Sequence, residues 1–150
     1  IGIKLTTPFK MIKETLPIMR KNKWGRIINI SSVHGSVASQ FKSGYVSSKH
    51  GLVGLTKVIA LETAKENITC NAIGPGFVDT ELVKKQIRNL SKKRGLSFKK
   101  ISNNLLKEKH PSMNFIKKDD VSSLAYYLTT NQASQITGSN LIIDGGWTAQ

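Results

Sequence analysis

The sequence predicts an α/β fold, a parallel sheet of about three strands with flanking helices, and three observations predict it. Two β-branched runs, "GRIINISS" and "ITCNAIGPG", are bounded by Gly, Ser and Pro in the manner of buried parallel strands. A shorter apolar run, "SNLIIDGG", supplies a last strand near the C-terminus. Between them lie segments with apolar residues at helical spacing. Helix and strand therefore alternate, which is the order of a doubly wound parallel sheet, and 150 residues suffice for one such domain with a sizeable core.

Taken in order, residues 5–20 place Leu5, Phe9, Ile12, Leu16 and Met19 on one helical face, and Pro17 predicts a break or kink near its end. The strand "GRIINISS" follows and reads as fully buried. Residues 43–65 are small or apolar on nearly every side, the composition of a helix buried between a sheet and a second partner. "ITCNAIGPG" is the next strand, stopped by Gly74, Pro75 and Gly76. Residues 79–110 predict two short basic helices around a break near Gly95. Asp119 and Asp120 open the last helix, where carboxylates complement the N-terminal dipole.

Hydrophobic residues make up 39% of the chain, ordinary for a globular protein and against disorder. The apolar runs fall far short of the roughly 20 residues that cross a bilayer. No charged-then-apolar leader opens the chain, so the expectation is a cytoplasmic protein without a membrane partner. The single cysteine, Cys70, reads as a small buried core residue, and no metal is expected.

The formal charge is +14, and between Lys84 and Lys118 twelve basic residues face one acidic residue, Glu108. Such a field attracts polyanions, so a non-catalytic nucleic-acid-binding module is one reading. The other is a solvated lysine-rich helical face. Lysine outnumbers arginine 19 to 4, and only Phe98 and Phe115 interleave the segment, which serves base stacking poorly and disfavours a nucleic-acid partner.

"GYVSSKHG" sets Tyr45 and Lys49 four residues apart, on one helical face. A phenol is a weak acid and base at neutral pH, and a neighbouring ammonium stabilises its anion, suiting it to proton transfer. Ser32 stands at the C-terminal end of the preceding strand, the edge where open α/β sheets hold ligands. Its hydroxyl could bond a substrate oxygen while Tyr45 takes or gives the proton.

"GRIINISS", the step from Ser32 to Tyr45, "YVSSKHGLVGLTK", "CNAIGPGFVDT" and "IIDGGW" together resemble the short-chain dehydrogenase/reductase family over essentially the whole chain. "IINISSVHG", "NITCNAIGPGFV" and "DGGWTAQ" are similar to its D-3-hydroxybutyrate dehydrogenase branch. The resemblance implies a Rossmann-like fold, NAD as cofactor and the interconversion of 3-hydroxybutyrate and acetoacetate. Ser32, Tyr45 and Lys49 would be the catalytic residues. Tyr45, Lys49, Asn71, Pro75, Gly76, Phe77, Val78 and Thr80 would border the cofactor, the Val78 backbone meeting the nicotinamide carboxamide. Ser32, His34, Lys42, Tyr45, Phe77 and Gln86 would meet a small carboxylate substrate. Residues 79–118 would form a basic helical lid over it, and the first helix with the Tyr45 helix would pack between subunits, most often in a tetramer.

Two departures stand out. Lys4 occupies the place of an asparagine that holds the family's proton relay, and the expectation is that it swings toward solvent and leaves the relay incomplete. The family's first four strands, with the glycine-rich phosphate turn and the residue that selects NAD over NADP, have no counterpart in this sequence. The chain therefore reads as the C-terminal half of the doubly wound fold, a partial domain with little activity alone. The alternative is one half of a two-chain enzyme, completed by a separate N-terminal half.

Overall fold

The computed structural model describes residues 1–149. Its sheet has three parallel strands in the order β1 (Gly25–Ile30), β2 (Ile68–Pro75) and β3 (Asn140–Ile143). Gly25 to Ile30 face Ile68 to Ile73, and Ala72 to Pro75 face Asn140 to Ile143. β2, central, is buried along its whole length. β1 is less covered than its sequence suggests: Gly25, Ile27 and Asn29 are buried, but Ile30 is exposed. The reason is its position at the edge of the sheet, where nothing in the described chain pairs with its outer side.

Helices α1 (Thr7–Lys21) and α2 (Ser43–Glu62) cover one face of the sheet. Ile12 and Leu16 of α1 meet Ile59 and Ala60 of α2 over Ile27, Ile68 and Cys70. α1 runs unbroken through Pro17, contrary to the expected break. Pro17 and Lys13 both lie on the exposed side, so water can satisfy the carbonyl that the proline leaves without a donor. α2 is half buried rather than enclosed: Leu52, Val53, Thr56 and Ile59 face inward, while Val58 and Leu61 face out. Thr56 ties helix to strand, its hydroxyl donating to Leu52 O (2.8 Å) and accepting from Asn29 Nδ2 (2.9 Å). Cys70 is fully buried, and burial pushes its thiol up to about 12.

The opposite face packs against α5 (Lys118–Thr129), where Leu128 and Ala133 meet Ile73. The basic segment folds as expected into α3 (Glu81–Arg94) and α4 (Phe98–Lys109). Thr80 and Ser97 cap their N-termini, and Gly95 ends α3 with φ 62°, a left-handed conformation that glycine takes without strain. Ile87, Ile101 and Leu106 give this pair its own buried contacts. A bridge between Val78 and Ile116 ties the segments flanking the pair to each other. No helix among the described residues is long and apolar enough to cross a membrane.

Candidate active site

The C-terminal ends of β1 and β2 open into a cleft of about 380 Å3. Ser32, His34, Lys42, Tyr45, Phe77 and Gln86, drawn from four separate segments, all line it. Ser32 follows β1 in extended conformation and caps the short helical turn Val33–Gly35, its Oγ accepting from the His34 backbone N–H at 3.3 Å. That turn aims the buried His34 ring between two hydroxyls, with Nδ1 3.4 Å from Ser32 Oγ and Nε2 2.9 Å from Ser39 Oγ. Burial, then the charges of Lys42, Lys109 and His50, lower the His34 pKa to about 4, so the ring is neutral at pH 7.

Tyr45 and Lys49 share the first turns of α2. The Lys49 ammonium is buried, donates to Ile30 O at 2.8 Å and lies 5.8 Å from the centre of the Tyr45 ring. Burial and the charge of Lys4 lower its pKa. Lys4 is exposed, as expected, yet its ammonium stays near the site. Its Nζ lies 5.5 Å from the Tyr45 ring centre, so two ammonium groups flank one phenol. The attraction of a cation for an aromatic face offsets part of the repulsion between the two lysines.

The cofactor-side residues divide. Pro75 ends β2, Gly76 donates to Ile143 O at 2.8 Å, and Phe77 lines the cleft. The bridge to Ile116 uses Phe77 O and the Asp79 N–H, which leaves the Val78 N–H and C=O on the opposite side of the strand. A carboxamide presents an NH2 donor group beside a carbonyl acceptor, so one N–H and one C=O on the same side complement it. Asn71 lies elsewhere: its amide donates to Ile136 O (2.6 Å) and accepts from the Ser139 N–H (3.1 Å), holding the loop before β3. It is a bracing residue inside the sheet rather than part of the cleft wall. Thr80 Oγ1 accepts from the Val83 N–H at 3.3 Å as the cap of α3 and is likewise outside the cleft lining.

Several wall residues escaped the sequence reading. Leu82 and Val83 line the cleft beside Gln86, as helical spacing allows once α3 is placed. Trp147 closes it from the C-terminal turn. Gly145 and Gly146 adopt φ 63° and 93°, and Asp144 accepts from the Gly146 N–H (2.9 Å) and from Thr148 N–H and O–H (both 2.7 Å). Burial would raise the Asp144 pKa, but the bonds from Thr148 and Gly146 outweigh it and hold the carboxyl below its ordinary value. His110, fully buried, accepts from the Phe77 N–H at Nε2 (2.9 Å), and its Nδ1–H donates to Asn114 O (3.0 Å). Those partners define its neutral tautomer, and its ring stacks on Phe77 with centroids 5.4 Å apart. A lone histidine after a basic helix carries no sequence signal of that role.

The geometry has parallels among known proteins. The profile of the family described as enoyl-(acyl carrier protein) reductase matches residues 1–148. The chain is 48% identical over 150 residues to a D-beta-hydroxybutyrate dehydrogenase of Rhizobium meliloti and 47% identical to one of Cupriavidus necator, covering 100% of this chain and 58% of each relative. It thus spans a little over half the length of these curated relatives. Among solved structures, 4-hydroxyisoleucine dehydrogenase complexed with NADH superposes with a TM-score of 0.87 at 38% identity, over 99% of this chain and 57% of that one. A variant of actinorhodin polyketide ketoreductase with NADPH gives a TM-score of 0.90 at 30% identity, over 98% and 57%.

Proposed function

Because the chain belongs to the short-chain dehydrogenase/reductase family, we propose that its cleft is the chemical end of an NAD-dependent D-3-hydroxybutyrate dehydrogenase site. One observation carries this reading: all six candidate substrate residues line a single cleft, and the Lys49 ammonium stands 5.8 Å from the ring centre of one of them, Tyr45. Lys42 and Gln86, with His34, offer a cation and hydrogen-bond donors to a small carboxylate. The Ser32 hydroxyl donates to the substrate oxygen at C3. The Tyr45 phenolate, stabilised by the Lys49 ammonium, takes the hydroxyl proton in oxidation, and the Tyr45 phenol returns it in reduction. A nicotinamide cofactor held beside C3 would supply the hydride acceptor that the oxidation to acetoacetate needs. The Val78 N–H and C=O, Phe77 and Lys49 are the residues here that would hold it.

In this proposal α3 and α4, within residues 79–118, form the lid. Leu82, Val83 and Gln86 present its inner face. The exposed Phe9, Val58 and Leu61 on α1 and α2 form the self-association face of a homo-oligomer. The 150 residues contain no glycine-rich phosphate turn, so their turnover alone is expected to be slow. A second reading is that the outer edge of β1, unpaired among the described residues, docks further strands, of the same polypeptide or of a separate chain. A groove of about 420 Å3 runs along that edge, lined by Ile3, Lys4, Ile28, Ile30 and Lys49 among others.

NADH binding measured by fluorescence with and without acetoacetate tests the first reading. Acetoacetate is expected to tighten the binding, and Tyr45→Phe to abolish turnover. Binding that ignores acetoacetate, or turnover that survives Tyr45→Phe, refutes it. The second reading predicts recovered turnover on mixing with the N-terminal half of a relative, and it fails if the two halves do not associate.

A further inference from the structure

The cleft does not end at the His34, Lys42 and Gln86 cluster. A second groove of about 470 Å3 continues between the loop at Ala38–Gln40 and the C-terminal part of α4, sharing Lys42, Phe77, Gln86 and Trp147 with the first. At its far side stands Lys109, with Nζ 5.6 Å from the Trp147 ring centre and 3.1 Å from the Glu108 carboxylate. The route from Ser32 and Tyr45 to Lys109 thus passes an aromatic wall, the Phe77 and Trp147 rings with centroids 5.4 Å apart. Apolar surface followed by a cation is the complement of a methylene chain that ends in a carboxylate.

We propose that the second groove is a further anion station, built on Lys109, for oxo and hydroxy acids whose carboxylate stands farther from the carbonyl than in a 3-oxo acid. The inference rests on the dehydrogenase reading and extends its substrate class. Lys42 holds a carboxylate one methylene from the ketone. Lys109 holds one several methylenes away, and the Gln86 amide, common to both grooves, can donate to either. Two further features agree. The Lys109 charge is felt at His34 inside the cleft, where it helps keep that ring neutral. Its present counter-ion, Glu108, has a side chain 65% exposed, so a ligand carboxylate displaces it into water at little cost.

Acetoacetate and 5-oxohexanoate test the proposal, since both are methyl ketones and differ by two methylene groups. Each is titrated into the chain with NADH present, and dissociation constants are read from the His34 imidazole resonances by NMR. Lys109→Met is expected to raise the ratio of the 5-oxohexanoate constant to the acetoacetate constant about tenfold or more, the size of a lost charge-assisted bond. Lys42→Met is expected to lower the ratio. Lys109→Arg should restore the wild-type ratio, and Glu108→Gln should tighten 5-oxohexanoate by freeing the ammonium. A ratio that Lys109→Met leaves unchanged overturns the proposal. If the wild-type chain takes acetoacetate and not the longer acid, the second station falls and the hydroxybutyrate reading stands. If it takes neither, both fall.

Discussion

His34 makes the stability of this domain depend on pH in a calculable way. The free imidazole titrates near 6.5, and in the fold burial and the lysine charges lower that to about 4. The unfolded chain therefore binds the proton first as pH falls. The stability contributed by the neutral ring is complete above 6.5, drains away between 6.5 and about 4, and is gone below. At pH 7.5 the cost is below ~0.1 kcal/mol, and at pH 5.0 it reaches ~2 kcal/mol. With a urea slope of about 2 kcal/mol/M, the midpoint should drop by ~1 M from this residue alone. The assay compares urea unfolding at the two pH values for the wild-type chain and His34→Gln. Carboxylates and His110, whose pKa burial also lowers, titrate in both proteins, so the difference between the two pH effects isolates His34. Equal midpoint shifts in wild type and variant would refute the reasoning, because they would mean that His34 reaches solvent and takes its proton without cost.

Three further outcomes follow from the packing. A Cβ at Gly76 would stand 2.5 Å from His110 Nε2 and 3.1 Å from the Asp144 Cα, so Gly76→Ala should cost about 1–3 kcal/mol in urea unfolding and weaken acetoacetate binding by displacing Phe77. Thr56→Val keeps the shape but leaves the buried Asn29 amide only its weak 3.8 Å bond to Cys70 Sγ, and a loss of about 1–3 kcal/mol is expected by the same assay, with no change in acetoacetate binding. Lys4→Asn removes one of the causes that lower the Lys49 pKa. An upward shift should appear in an NMR titration of the lysine side chains, with the Lys49 signal assigned through Lys49→Met. An unmoved signal would place the Lys4 ammonium away from Tyr45.

The strand and helix order, the break at Gly95 and the Tyr45 and Lys49 pair were legible in the sequence because each rests on local chemistry. β-branched runs, a left-handed glycine cap and a four-residue helical spacing are properties of a few neighbouring residues. The resemblance added His34, Lys42 and Gln86, and the cleft brings them together. The Asn71 side chain is engaged outside the cleft. Its motif is adjacent to the site in sequence, yet the alternation of a strand turns its amide toward the loop before β3.

What the sequence by itself determined is therefore the set of elements and the reactive groups on them, since both depend on spacing along the chain. Only the tertiary structure decided how covered each element is. Among the described residues β1 lies at the sheet edge with Ile30 exposed, and α2 has one apolar face uncovered, because burial depends on what packs across from a segment. It also decided that Lys4 leans over Tyr45, that His110 braces Phe77, and that Trp147 and Lys109 extend the cleft. Each of these contacts joins residues more than 30 positions apart, and no local pattern encodes a distance across the fold.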